Sequence, residues 1–303
     1  MKKFLSMILA AMMLLSLTAC AEAPVMKVAS PAGAPGLALA TLAVQNPENY
    51  TFVAAETISA EFASAQADFI VAPINAGAKL FKMGKSTYQL AAVVSWGNLF
   101  FASQKEGFKV EDMNGAKVVL FGENTINASV VRYALEKNGI VPAEVEYLGS
   151  ASNTQALLLS DAEAIVVTAE PALTASKMKN DKITAYAVND LYKAATGFEG
   201  YTQAGLFVKA ETAANQPEAV DAFLKLVEEA CLANAENIPA VAEAAVALEL
   251  LPNVKVATNA IPGCAVRFVN AADAREQIEF TANIDLSQFG GALPADDFYY
   301  VAE

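Results

Sequence analysis

Apolar runs of strand length alternate with helix-like segments along nearly the whole chain, and this alternation restricts the fold most. Each run leads through a turn rich in Gly, Pro or Asn into a helix-like segment; examples are VMKVAS (25–30), ADFIVAP (67–73), AKVVLF (116–121) and AEAIVVTAEP (162–171). Such alternation predicts an α/β fold, in which helices cover the faces of the sheets. Ligands of open α/β sheets bind beyond the carboxyl ends of the strands, so the residues just after each strand are the candidates for a site.

The N-terminus has the pattern of an export signal. Met1-Lys2-Lys3 is positively charged and precedes an apolar run ending at Ala19, which is short for a membrane span of about 20 residues. This arrangement predicts a secretory signal peptide over residues 1–19. Its last letters, LTAC at 17–20, resemble a bacterial lipobox, which implies that Cys20 becomes the lipid-bearing first residue of the mature chain. The alternative is an ordinary signal cleaved after Ala19 or Ala21, with Cys20 incidental.

A lipid on Cys20 predicts an extracytoplasmic protein anchored to the bacterial cell membrane. Residues 20–24 would then be a short tether for the folded body. Stable anchoring takes two or more lipid chains, since one acyl chain binds membranes only marginally.

Composition excludes several classes of function. The 303 residues carry a net charge of −13, so the sequence predicts no nucleic-acid partner. The chain has no histidine, which removes Ser-His-Asp and Cys-His catalysis and the commonest zinc ligand. We therefore predict no catalytic residue, no metal and no cofactor. Cys231 and Cys264 are interpreted as buried free thiols, with a disulfide as the alternative, since extracytoplasmic space permits one.

Four stretches carry a resemblance to a known family. They are ADFIVAPINAGAKLFKMG (67–84), DAEAIVVTAEPALTAS (161–176), AIPGCAVRFVNAADAREQIE (260–279) and GGALPADDFYY (290–300). In this order, behind the lipobox, they resemble the substrate-binding lipoproteins of ABC importers, in the branch with taurine-, sulfonate-, nitrate- and thiamine-precursor-binding members. The resemblance implies a periplasmic-binding-protein type II fold. Such a fold has two lobes, each a mixed sheet flanked by helices, joined by a two-strand hinge with the ligand in the cleft between the lobes.

The resemblance also implies domain boundaries. Lobe 1 would comprise residues 25–104 and 205–303, and lobe 2 residues 105–204. The apolar, β-rich segments LFFAS (99–103) and AGLFVK (204–209) are the predicted outward and return crossings. Two crossings form a hinge, and hinge closure around a ligand is a known motion of such proteins.

Two loops that open helices supply candidate ligand-binding residues. Ser30 and Pro31 begin SPAGAPG, where free backbone N–H groups at a helix start could face a ligand. The alternative is a plain strand-to-helix turn. Glu123, Asn124 and Thr125 belong to GENT, whose alternative role is to cap the following helix. That helix end would favour an anion, whereas Glu123 would suit an amine or a ring N–H.

Further candidates follow other strands. After the strand ending at Pro73, itself a candidate, Asn75 could make a two-way amide contact with a ligand. Trp96 and Asn98 lie at a strand break, where Trp96 either stacks on a flat ligand or belongs to the core. Glu170 either binds ligand or caps the next helix.

Neither of two arginines stands in an expected cleft loop. Arg132 lies inside a predicted helix and Arg267 in a late strand-like stretch, so both are interpreted as structural. A cleft arginine would have favoured a sulfonate or carboxylate. Its absence from the expected loops favours a neutral or heterocyclic ligand.

The function implied by the resemblance is solute capture for import. The protein would bind a small organic molecule, either a heterocycle such as a thiamine-precursor pyrimidine or a sulfonate or carboxylate. It would act as a monomer and deliver the solute to a membrane permease driven by a separate ATPase. The alternative is a solute-sensing or adhesive lipoprotein that partners a membrane receptor. An enzyme on a related two-lobed scaffold is disfavoured because the histidine on which such enzymes depend is missing.

Replacing Cys20 with serine tests the lipobox. We expect wild-type protein expressed in a bacterium to incorporate labelled palmitate and the Cys20→Ser variant to incorporate none, because the thiol is the acceptor of the lipid. Cys231→Ser is the matched control and should label like wild type. Labelled Cys20→Ser protein would contradict the assignment.

Overall fold

The computed structural model describes residues 25–301. The predicted signal peptide, Cys20 and the tether up to residue 24 lie outside this range. None of the helices within it is long and apolar enough to span a bilayer.

Eleven strands form two mixed sheets in the described chain, which confirms the predicted α/β fold with two lobes. The six-stranded sheet of lobe 1 has the order β11-β4-β10-β3-β1-β2, and the five-stranded sheet of lobe 2 the order β7-β6-β8-β5-β9. The strands are β1 (Val28–Pro31), β2 (Tyr50–Val53), β3 (Phe69–Pro73), β4 (Tyr88–Ser95), β5 (Leu99–Ser103), β6 (Lys117–Phe121), β7 (Glu144–Leu148), β8 (Ile165–Ala169), β9 (Thr184–Ala187), β10 (Ala204–Lys209) and β11 (Val266–Asn270). In lobe 1, β1 runs parallel to β2 and β3, whereas β10 and β11 are antiparallel to their neighbours.

Helices flank both sheets. The α-helices are α1 (Ala40–Ala43), α2 (Ser59–Ser64), α3 (Ile74–Lys82), α4 (Ile126–Lys137), α5 (Ala151–Ser160), α6 (Ala172–Lys177), α7 (Val188–Thr196), α8 (Ala210–Asn215), α9 (Pro217–Glu236), α10 (Ile238–Ala247), α11 (Val254–Ala260) and α12 (Arg275–Ile284). Shorter 3₁₀ turns occupy Ala34–Ala38, Pro47–Asn49, Val110–Met113, Ile261–Cys264, Leu286–Phe289 and Asp296–Phe298.

Local sequence explains several of these elements. The inner strand β3 is apolar on both faces, as expected for a strand covered by helices on both sides. Helix α9 buries Val220, Phe223, Leu224 and Val227 at helical spacing against lobe 1. The segment 37–44 departs from the single helix that its apolar sequence, LALATLAV, predicts: a 3₁₀ turn over Ala34–Ala38 precedes the one-turn helix α1.

The crossings between the lobes differ from the predicted ones. Strand β5, which the predicted boundaries assign to lobe 1, pairs with β8 and β9 in the sheet of lobe 2. Strand β10 pairs with β3 and β4 in lobe 1. The two apolar segments are thus inner strands of separate sheets, where their apolar faces are buried. The chain crosses in the short segments 96–98 and 199–203, and lobe 2 begins at Leu99.

The crossing segments pack against each other. Gly97 has φ of +83°, and the ring of the fully buried Tyr201 lies directly over it. The Asn189 side chain donates to the carbonyls of Trp96 and Gly97 at 2.8 and 3.0 Å. The two crossings therefore form one packed unit.

Both cysteines of the described chain are free and buried, as predicted from the sequence. Burial raises the pKa of the Cys231 thiol to about 12, with Glu228 contributing. Burial also raises the pKa of the Cys264 thiol. Both thiols therefore stay protonated and unreactive at neutral pH.

Gly97→Ala should destabilise the protein more than a positive φ alone explains. A Cβ at Gly97 would lie 2.3 Å from Cε1 of Tyr201, whereas one at Gly107, with φ of +68°, would meet nothing within 4 Å. We expect Gly107→Ala to cost about 1–2 kcal/mol of unfolding free energy from its backbone conformation. Gly97→Ala should cost roughly 1–3 kcal/mol more from overpacking. Urea unfolding measures both, and equal losses would contradict the packing.

Candidate functional site

A cavity of about 320 Å³ lies between the lobes and is lined by residues from both. Lobe 1 contributes the loops after β1, β2 and β3, lobe 2 contributes the start of α4, and the second crossing and the 3₁₀ turn Leu286–Phe289 complete the wall. The lining residues are Pro31, Ala32, Pro35, Ala55, Pro73, Asn75, Ala76, Thr125, Ile126, Asn127, Gln203, Ala204 and Gln288.

Two helices from opposite lobes begin at this cavity. Helix α3 starts at Ile74, directly after β3, and α4 starts at Ile126, after β6. Thr125 caps α4, its Oγ accepting from the Ala128 N–H at 3.3 Å. The remaining N–H groups of a first helical turn have no intrahelical acceptor, and the helix dipole adds positive potential there. The cavity therefore favours hydrogen-bond acceptors.

Amide side chains supply the polar part of the wall. The Gln203 amide is held by the protein, since its Oε1 accepts from Ser95 Oγ at 3.1 Å and its Nε2 donates to Asn98 Oδ1 at 3.2 Å. Asn127 Oδ1 accepts from the Tyr201 hydroxyl at 3.1 Å, and the NH₂ group of Asn127 makes no hydrogen bond within the described residues.

Two further amide side chains have both their donors and their acceptors free of hydrogen bonds within the described chain. Within residues 25–301 neither the Asn75 nor the Gln288 side chain has a hydrogen-bond partner. Each offers a donor and an acceptor at the cavity wall. Among the described residues no charged side chain lines the cavity. The polar groups that the cavity presents are therefore amides and backbone N–H groups.

Four of the ten predicted ligand-binding residues meet at this cavity. Pro31, Pro73 and Asn75 line it from the strand ends of lobe 1, and Thr125 lines it from lobe 2.

Three other candidates lie close by in sequence but do not line the cavity. Ser30 is buried beneath the wall, and its Oγ donates to the Pro31 carbonyl. Glu123 and Asn124 are exposed and lie outside the lining.

Trp96 lies in the core rather than at the cavity. Its side chain is 3% exposed, and its Nε1 donates to the Arg267 carbonyl at 2.9 Å. The Arg267 guanidinium stacks on the ring at 4.3 Å from its centroid. This geometry corresponds to the core alternative for Trp96 and to a structural role for Arg267.

Asn98 acts one layer behind the cavity wall. Its Nδ2 donates to the Glu170 carbonyl at 3.0 Å, and its Oδ1 holds Gln203. Asn98 thus positions a lining residue without lining the cavity itself.

Glu170 lies on a second cavity, of about 430 Å³, that shares no lining residue with the first. Both carboxylate oxygens accept hydrogen bonds from Thr174, at 3.1 Å from its N–H and 2.9 Å from its Oγ. Glu170 thus caps the start of α6, which is the alternative to ligand binding given for this residue above. Burial raises the pKa of Glu170, although the Thr174 hydrogen bonds and Lys177 act in the opposite direction.

Sequence reasoning missed three polar lining residues. Asn127 follows the candidate Thr125 by two positions at a helix start, so extending that candidate loop would have found it. Gln203 directly precedes the return strand β10 and could have been found as a crossing residue. Gln288 reaches the cavity from the C-terminal segment, and no local pattern marks it. Within the described chain no cluster of three or more Asp, Glu or Cys side chains could hold a metal.

Residues 36–239 match the family model described as NMT1/THI5 like. The chain belongs to the NMT1/THI5-like family. This match confirms the family predicted from the sequence, and the solved structures below confirm the fold. No curated protein matches the chain significantly.

Solved structures similar to this NMT1/THI5-like chain share its fold. An ABC transporter protein from Parabacteroides distasonis superposes with a TM-score of 0.79 at 19% identity, over 92% of this chain and 100% of the other. The periplasmic aliphatic sulphonate binding protein SsuA from Escherichia coli gives 0.70 at 14% identity, covering 92% of each chain. The alkanesulfonate-binding protein SsuA from Xanthomonas axonopodis pv. citri, bound to MOPS, gives 0.60 at 13%, covering 92% of this chain and 96% of the other.

The raised pKa of Glu170 predicts a pH dependence of stability. The folded state binds this proton more tightly than the unfolded state, so the free energy of unfolding falls as pH rises from the ordinary glutamate pKa through the raised one. We expect wild type to lose stability relative to Glu170→Gln over that interval. The exposed Glu123→Gln is the control and should follow wild type. The free energy of unfolding is measured with urea at each pH, and the same pH dependence in all three proteins would contradict the prediction.

Proposed function

We propose that the protein is the extracytoplasmic solute-binding component of an ABC importer. The observation that carries this proposal is the cavity between the lobes, with amide side chains and two helix starts converging on it from both sides. It is supported by the family match and by the binding proteins among the structures that share the fold. A solute held by both lobes favours their approach, which is how such proteins signal occupancy.

The proposed solute is a small organic molecule without a strong charge. A volume of about 320 Å³ is at the lower end for small-molecule sites. Asn75, Asn127 and Gln288 present both donors and acceptors, which suits the edge of a heterocycle such as a thiamine-precursor pyrimidine. A sulfonate or carboxylate is the second candidate class, and it would rely on the N–H groups at the starts of α3 and α4.

The remaining parts of the proposal concern assembly. A lipid on Cys20 would hold the protein at the outer face of the cytoplasmic membrane, beside a permease. A separate ATPase would drive transport. The protein would act as a monomer. It would act without catalysis, since amides and apolar side chains form the cavity wall.

Thermal unfolding of the purified protein with candidate solutes tests the proposal. The probes are a hydroxymethylpyrimidine, taurine and MOPS. A probe at 100 times its dissociation constant should add about 2.7 kcal/mol of stability, which raises the midpoint by a few degrees. We expect Asn75→Ala to weaken binding of the active probe about tenfold, the equivalent of one lost hydrogen bond of roughly 1.4 kcal/mol.

Asn215→Ala is the matched control for Asn75→Ala. Asn215 is exposed at the end of α8 and does not line the cavity, so its variant should bind like wild type. If Asn75→Ala leaves the affinity for the active probe unchanged, the probe binds at a site other than this cavity. Turnover of a bound probe would contradict the non-catalytic proposal.

A further inference from the structure

The last part of the described chain connects the two lobes a third time. We call residues 275–298 the C-terminal strap; it comprises α12, the 3₁₀ turn Leu286–Phe289 and the 3₁₀ turn Asp296–Phe298. The strap follows β11 of lobe 1, packs on lobe 2, passes the cavity at Gln288 and returns to lobe 1.

An aromatic side chain attaches the strap to lobe 2. The Phe280 ring lies 6.0 Å from that of Tyr133, 6.2 Å from that of Tyr192 and 5.4 Å from that of Phe198, measured between centroids. All three contacts are edge-to-face, which is a favourable arrangement of aromatic rings.

The far end of the strap is attached to lobe 1. Lys82 Nζ on α3 donates to the Gly290 carbonyl at 2.8 Å. The Phe298 ring contacts those of Phe81 and Phe207, with centroids 5.5 and 6.0 Å apart. Between these attachments and Phe280 lies the turn that carries Gln288.

Asp285 joins this turn to lobe 2. Its Oδ2 accepts from Ser129 Oγ on α4 at 2.8 Å, and its Oδ1 accepts from the Ser287 N–H and Oγ at 3.2 and 2.5 Å. The Gln288 N–H donates to the Asp285 carbonyl at 3.1 Å. One residue therefore both orders the turn that presents Gln288 and binds the helix whose first turn carries Asn127.

Ser129 is itself held in place. It is 5% exposed, and its Oγ accepts from Arg132 Nη2 at 3.1 Å while donating to Asp285. Arg132 Nη1 also donates to the Tyr147 hydroxyl at 3.2 Å. Hydrogen bonds to charged groups are roughly twice as strong as neutral ones, and this series of hydrogen bonds has a charged group on each side of Ser129.

We propose that Asp285 and Ser129 form a latch that sets the separation of the lobes and thereby positions Gln288 opposite Asn127 across the cavity. Neither latch residue lines the cavity, so both are positioning residues. The consequence for solute affinity rests on the proposed function, whereas the effect on lobe separation does not.

Spin-label distances in the absence of any solute test the latch directly. Nitroxides are attached through Glu56→Cys on lobe 1 and Ser152→Cys on lobe 2, both exposed, in a Cys20→Ser background; Cys231 and Cys264 are buried and stay unlabelled. We expect a single short distance with the latch intact. Asp285→Asn and Ser129→Ala should each raise the population of longer distances several-fold, and the double variant should raise it no further than the larger single effect.

Asp297→Asn is the matched control, because Asp297 is an exposed strap residue that uses its backbone carbonyl, to Gln89, for its contact with lobe 1. It should leave the distances unchanged. Ser129→Ala removes a single oxygen atom, so it is the latch substitution less able to cause misfolding. Circular dichroism verifies that each variant is folded. Unchanged distances in folded Asp285→Asn and Ser129→Ala would overturn the latch. Longer distances without binding of the pyrimidine, taurine or MOPS probes would support the latch and count against the proposed solutes alone.

Discussion

The buried side chain of Asn98 holds the two crossings and the edge of lobe 2 in the arrangement on which the cavity depends. It donates to the Glu170 carbonyl at the end of β8 and accepts from Gln203 in the second crossing. Its own backbone carbonyl accepts from the Glu170 N–H at 3.1 Å. One residue of the first crossing is thus bound to lobe 2 and to the return crossing. A buried amide without hydrogen-bond partners would lower the free energy of unfolding. The folded state therefore strongly favours the arrangement in which Asn98 keeps these partners.

The cavity is uncharged in a strongly acidic chain. The net charge is −13, yet the two candidate carboxylates are directed elsewhere: Glu123 to solvent, and Glu170 to the start of α6 on the second cavity. The backbone dipoles of α3 and α4, which begin at the cavity, add positive potential there. The described wall offers no charged side chain for an ion pair, so a solute bound there as we propose would be recognised by the placement of its donors and acceptors.

Sequence patterns predicted the features that arise from local interactions. The alternation of strands and helices indicated the fold class, and loops at strand ends supplied Pro31, Pro73, Asn75 and Thr125 as neighbours of the cavity. Features that depend on pairing across the chain were not readable. The sequence of strand β5 resembles a hinge segment. In the structure, however, Ser103 pairs with Ile165 of β8 and with Thr184 of β9, both more than 60 residues away in the chain. These pairings place β5 inside lobe 2.

Lobe 2 is continuous in sequence, yet its packing is completed from outside. Tyr133, Tyr192 and Phe198 surround Phe280 of the C-terminal strap, so part of the aromatic packing of lobe 2 comes from beyond the return crossing. A hinge with two crossings alone would leave the lobes free to separate on the cavity side. The strap adds a contact on that side, and Gln288 lies between its two attachments. Separation of the lobes must therefore deform the strap or release it from one lobe, which links the shape of the cavity to contacts made outside it.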